Sequence, residues 1–159
     1  MGTTPGSSQA RLSCTAPASL PGATVAVSLT DMGTMASPMM GGNAPMGERN
    51  SLRASPTSVP AGQISFVASN VGGRTHELVI LPLPAGASAG KRVPAADGKV
   101  DEAGSLGEAS APCAAGTGEG ITSGSVGWVT VTLLAGRYEL VCNLQNHYAN
   151  GMYQELDVT

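Results

Sequence analysis

Three side chains with metal-binding chemistry fall at even spacing near the C-terminal end of the chain: Cys142, His147 and Met152, as C-x4-H-x4-M. The only other histidine, His76, lies well upstream. A thiolate, an imidazole and a weak axial thioether on one loop, facing a second imidazole, form the ligand set of a blue-copper site. Soft sulfur suits Cu(I), imidazole suits both oxidation states, and a fixed cage around all four lowers the rearrangement that accompanies a single electron. The chemistry such a set supports is one-electron transfer. A lone histidine in a small domain is more often packed or at the surface than a ligand. Here the joint pattern, on a loop between two predicted strands, outweighs that bland reading.

Rival chemistries find less support. Residues 86–90 (GASAG) match the G-x-S-x-G string of a nucleophile elbow, but that motif needs a strand, a sharp turn and a helix, and a proline-rich loop follows no such plan. His76-Glu77 lacks the second histidine of H-E-x-x-H, since position 80 is Ile80. Residues 116–120 (GTGEG) share only composition with a phosphate loop, with no Lys-Ser/Thr behind them. Two histidines in total cannot build the additional cluster of a multicopper oxidase, so the chain reads as a carrier and not an enzyme. Met32, Met35, Met39, Met40 and Met46 offer soft ligands for a second, Cu(I)-selective site; adaptable packing of a flap is the favoured reading.

These residues need a frame. Period-two alternation marks strands over 23–29, 51–55, 63–70, 75–81, 127–133, 137–142 and 153–158, the fourth carrying His76. Short turns at 56–62 and at Gly72-Gly73 predict antiparallel neighbours among the second, third and fourth of these. Residues 1–20 read as a flexible Ser, Thr, Pro and Gly tail, and 31–47 as a Met/Gly-rich flap without period. The 82–124 stretch is too long for a plain connection and is expected to cross one face as a structured excursion, with at most a turn or two of helix in 99–108. Seven or eight strands with no amphipathic helix predict an all-β sandwich, single-domain over 21–159, with one face of each sheet wet.

Composition narrows the classes further. A chain of 159 residues with 42% hydrophobic and 12% charged residues supplies one core and leaves no room for a second domain. The net charge of −3 and the scattered Lys and Arg argue against nucleic acid as a partner. No apolar run approaches the ~18 residues of a membrane span. The polar first residues lack the apolar stretch of a signal peptide, which fits a cytosolic chain or a mature one whose leader was removed. Three cysteines leave at least one thiol outside any internal pair.

Residues 70–77 (NVGGRTHE) and 138–152 (YELVCNLQNHYANGM) carry a family resemblance: the chain resembles the cupredoxins, type 1 blue copper proteins, and is most similar to their sulfocyanin and rusticyanin branch. The resemblance runs over roughly 20–159. It implies a Greek-key β-sandwich of eight strands with one type 1 copper beneath one end, cycling between Cu(I) and Cu(II) and held by His76, Cys142, His147 and Met152. It further implies an extracytoplasmic, periplasmic monomer that carries single electrons between redox proteins, such as a cytochrome and a membrane oxidase-type acceptor. Near the surface His147 would be the electron port, with Cys142 as the covalent coupling, His76 the inner anchor and Met152 the tuning ligand. Tyr148 and its neighbours would form a small apolar docking patch.

One departure concerns Glu77, where many cupredoxins have Asn or Ser hydrogen-bonding near the cysteine. An ionised carboxylate cannot donate, so either the backbone amide serves or the carboxylate points away. With Cys142 taken as the copper thiolate, Cys14 and Cys113 remain as one disulfide pair, which implies an oxidising compartment. The alternative function is copper storage or delivery through the Met-rich flap.

Overall fold

The computed structural model describes residues 12–31 and 50–159. Within them lie ten strands: β1 (Ala23–Asp31), β2 (Asn50–Ser55), β3 (Ser58–Val59), β4 (Gly62–Asn70), β5 (Leu78–Pro82), β6 (Gly107–Ala109), β7 (Ala114–Ala115), β8 (Val126–Leu133), β9 (Gly136–Val141) and β10 (Tyr153–Val158). They form two five-stranded sheets, ordered β2-β1-β4-β8-β7 and β3-β10-β9-β5-β6. The expected all-β sandwich is present. Its three additional strands, β3, β6 and β7, are two or three residues long and too short to show a period.

Alternation explains the core. Val25, Val27 and Leu29 of β1 face inward with Ile64, Phe66 and Ala68 of β4, and meet Leu78 and Ile80 of β5, Leu140 of β9 and Leu156 of β10 from the opposite sheet. Burying one such side chain stabilises the fold by roughly 1.5–3 kcal/mol, so the two sheets are held by their facing rows. Cys142 and Met152 belong to the same buried cluster, which seats the site at one end of the core.

Three expectations need correction. The second, third and fourth predicted strands are not consecutive antiparallel neighbours. β1 lies between β2 and β4, antiparallel to the first and parallel to the second, and β5 belongs to the other sheet. The 56–62 turn carries β3 to the edge of the second sheet, beside β10, and so crosses between sheets where a hairpin would have stayed in one. His76 precedes β5, joined to the excursion by an isolated bridge with Ile121. The 99–108 segment holds no helix: Asp97 and Asp101 accept from the amides of Lys99 and Ala103 in tight turns, and Gly104 sits at φ +83°.

The expected wet face holds for β1 and β2 of the first sheet, where buried and exposed residues alternate, but not for the second sheet. Val79 and Leu81 of β5 and Val141 of β9 point away from the main core and pack with Val100 of the excursion and Tyr148 in a second buried cluster. The excursion does cross a face, as expected. It lays β6 along β5 and then β7 along β8, spanning the open edges of both sheets. Cys14 and Cys113 form the expected disulfide, and the Ser13 amide donates to the Gly124 carbonyl at 2.6 Å. The flap methionines, Met32, Met35, Met39, Met40 and Met46, lie outside the described residues.

Candidate metal centre

Each donor is delivered by a different constraint. His76 is fixed by a pair of backbone bonds with Ile121, its amide donating at 3.1 Å and its carbonyl accepting at 2.7 Å. Asn70, at the end of β4, organises the approach: its Nδ2 donates to the carbonyls of Arg74 and Ile121, and its Oδ1 accepts from the Gly72 amide. Cys142 follows β9 directly, and its amide donates to the Met152 carbonyl. The intervening loop folds back on itself, with the His147 amide on the Leu144 carbonyl, the Met152 amide on the His147 carbonyl, and Asn146 in the left-handed region at φ 66°.

The result is convergence. His76 Nδ1 lies 3.3 Å from His147 Nδ1 and 3.9 Å from Cys142 Sγ, and His147 Nδ1 lies 3.4 Å from that sulfur. Metal bonds of about 2.0 Å to nitrogen and 2.3 Å to sulfur, arranged trigonally, would set such donors about 3.5–3.7 Å apart. The three therefore fit one ion. His76 and Cys142 are buried and His147 is half-buried, the one of the three that reaches towards solvent. Met152 is buried beside them, its backbone bonded to both Cys142 and His147.

Burial decides the charge of these three donors. It pushes the Cys142 thiol up to about 12, against the pull of the Leu144 and Glu77 amides. His147 is brought down to about 4 by burial and then by the neighbouring His76 and Arg74. Burial also lowers His76, against the Asp31 carboxylate. Two neutral imidazoles with convergent Nδ1 atoms and a thiol result, and a cation that binds there displaces the thiol proton.

The Glu77 question has a definite answer: its backbone amide donates to Cys142 Sγ at 3.3 Å. The side chain is buried, and burial together with Glu108 and Glu102 raises its carboxyl to about 7, against an opposing bond from the Asn143 amide.

The docking patch expected around Tyr148 requires correction. Tyr148 is only 2% exposed, and its hydroxyl donates to Glu139 Oε2 at 2.7 Å while accepting from the Arg92 amide at 3.1 Å. Glu139 is fully buried, paired at 2.6 Å with Arg92 Nε and bonded to the Gly90 amide. Asn143 is likewise committed inward, exchanging bonds with Val100 and donating to Glu102. These groups lock the 142–152 loop to the excursion, and the residues left at the surface beside His147 are Gln145, Asn146 and Ala149.

The spacing of the donors did not reveal Asp31. Its carboxylate accepts from His76 Nε2 at 2.8 Å, from the Gly73 amide at 3.0 Å and from the Arg74 amide at 2.9 Å. Burial raises this carboxyl, but those three donors outweigh burial and hold it below the usual carboxylate range.

No protein-family model matches the chain, and no curated protein matches its sequence. Among solved structures it is similar to auracyanin B, with a TM-score of 0.52 and 21% identity over 94% of this chain and 96% of that one. It is also similar to a reduced rusticyanin, with a TM-score of 0.51 and 20% identity over 88% of this chain and 82% of that one. Two five-stranded sheets, a donor cluster at one end of their shared core and these likenesses agree: the chain has the cupredoxin fold.

Proposed function

We propose that the protein is a type 1 copper electron carrier, with His76, Cys142, His147 and Met152 as the ligands of a single ion. The carrying observation is the convergence of two imidazole Nδ1 atoms and one buried thiol to separations of 3.3–3.9 Å inside a cupredoxin fold. Bound there, copper would supply a one-electron couple. The chain's own part is to hold the donors still. The Ile121 bridge fixes His76, the Glu77 amide stabilises the thiolate, and the bonds among Cys142, His147 and Met152 keep the loop in one conformation.

A four-donor set leaves no position for a substrate, which supports a carrier over an oxidase. His147, half-buried, is the electron port in this reading. Cys14–Cys113 supports an oxidising, extracytoplasmic compartment, where redox proteins such as a cytochrome and a membrane oxidase-type acceptor would be the partners. No described helix is long and apolar enough to cross a membrane.

The test is the visible and paramagnetic resonance spectrum after one equivalent of Cu(II), on the natural chain and on Cys142→Ser. An intense thiolate-to-copper band that the substitution abolishes is expected. A colourless protein with ordinary tetragonal copper signals would refute the reading and bring copper storage or delivery forward.

A further inference from the structure

Asp31 and His76 are 45 residues apart in sequence, yet the carboxylate sits 2.8 Å from His76 Nε2, on the far side of the ring from the donor cluster. The position is built for that carboxylate. The 71–74 turn wraps it, with the Gly73 amide on Oδ1 and the Arg74 amide on Oδ2, and Asn70 holds the turn through Gly72. Gly72 must be glycine for a steric reason, because a Cβ there would run into the Asp31 carboxylate. A carboxylate can only accept from His76, so the imidazole proton is kept on Nε2 and the lone pair is left on Nδ1. Nδ1 is the atom 3.3 Å from His147 Nδ1 and 3.9 Å from Cys142 Sγ.

We propose that Asp31 is the positioning residue of the site: it fixes the tautomer and ring orientation of His76, and its negative charge favours the oxidised over the reduced state of the bound ion. The first half stands on the described geometry alone; the second rests on the copper reading above. One side of an imidazole bonded to an anion makes the other nitrogen a stronger donor, and a nearby negative charge stabilises the more positive ion.

Two measurements test the two halves. In the metal-free natural protein, imidazole nitrogen shifts should show His76 with its proton on Nε2; a proton on Nδ1 would overturn the positioning role whatever the protein binds. In the copper-loaded protein, Asp31→Asn keeps the size of the side chain but removes the charge and turns one of its two acceptor atoms into a donor. The ratio of Cu(II) to Cu(I) affinity should fall about tenfold, which for a one-electron couple raises the reduction potential by about 59 mV. Gly72→Ala, which leaves both Asp31 and His76 in the chain, should shift the potential in the same direction by displacing the carboxylate. Should Asp31→Asn fail to fold, Gly72→Ala and the tautomer still decide the matter. Unchanged potentials would overturn the charge half. A natural protein with the Nε2 proton but no thiolate-to-copper band would refute the copper reading and the charge half together, and leave the positioning half standing.

Discussion

Replacing Glu77 with glutamine should change how the stability of the metal-free protein depends on pH. The carboxyl goes from an ordinary 4.5 to about 7 in the folded chain, chiefly through burial. Below pH 4.5 it is protonated in both states and costs nothing. Between 4.5 and about 7 the unfolded chain releases the proton and the native chain keeps it, so stability falls as pH rises through that window. At about 1.4 kcal/mol for each pH unit, the loss over the window is about 3 kcal/mol. His147 has the opposite slope. Its folded value is about 4 against an ordinary 6.5, so the native chain resists a proton that the unfolded chain accepts, and stability rises with pH across that interval. His76, which burial also lowers, acts in the same direction as His147, so in the natural chain the Glu77 slope opposes both histidines. In Glu77→Gln the two histidine slopes are no longer opposed by this carboxyl, because an uncharged amide fills the buried position while the backbone amide still donates to Cys142 Sγ. Urea unfolding of both metal-free proteins from about pH 4 to about pH 8 measures this directly, and Glu77→Gln should gain about 3 kcal/mol on the natural chain between the two ends. Parallel curves would refute the reasoning, since they would mean that the carboxyl ionises as freely in the fold as in the unfolded chain.

Tyr148→Phe removes a hydroxyl that serves a fully buried Glu139 and the Arg92 amide at once, and should cost about 2–3 kcal/mol by urea unfolding; a loss under about 0.5 kcal/mol would mean that water replaces it. Gly98 sits at φ +79°, and a Cβ there would press on the Asn146 main-chain nitrogen at 2.8 Å. Gly98→Ala should therefore cost about 1–3 kcal/mol of stability, measured by thermal or urea unfolding, and an unchanged midpoint would show that the excursion shifts freely.

Local patterns carried much of this. Cys142, His147 and Met152 are legible because one loop presents them, and β1, β4, β8, β9 and β10 because each turns one row of apolar side chains inward. What covers the other row is not a local property. Glu139 alternates into a position that reads as solvent-facing, and it is buried because Arg92 and Tyr148 arrive from segments that alternation does not describe. The unbroken run Leu78 to Leu81 was the available signal that β5 is covered on both faces. Tyr148 is expected in an apolar docking patch beside His147, and only the excursion makes it a core residue. Asp31 left no trace at all, since three strands and a turn separate it from His76 in the chain.

The Cys14–Cys113 bond has a mechanical consequence. It closes the chain into a covalent ring that contains His76 and excludes Cys142, His147 and Met152. Pulled on either side of the ring, the oxidised chain lengthens through the segments outside it, and on the C-terminal side these include the 46 residues 114–159. Those residues hold on the order of 160 Å of contour at about 3.5 Å per residue. Tension therefore extracts β7, β8, β9, β10 and the 142–152 loop, while β1 to β6, within the ring, cannot be drawn out. Three of the four candidate donors leave under force, and the fourth stays behind, still bridged to nothing but its own ring once Ile121, at position 121, has been drawn away. A thiol reductant switches the same pull to the full length of the chain, so the bond also sets which half of the site is torn from the other.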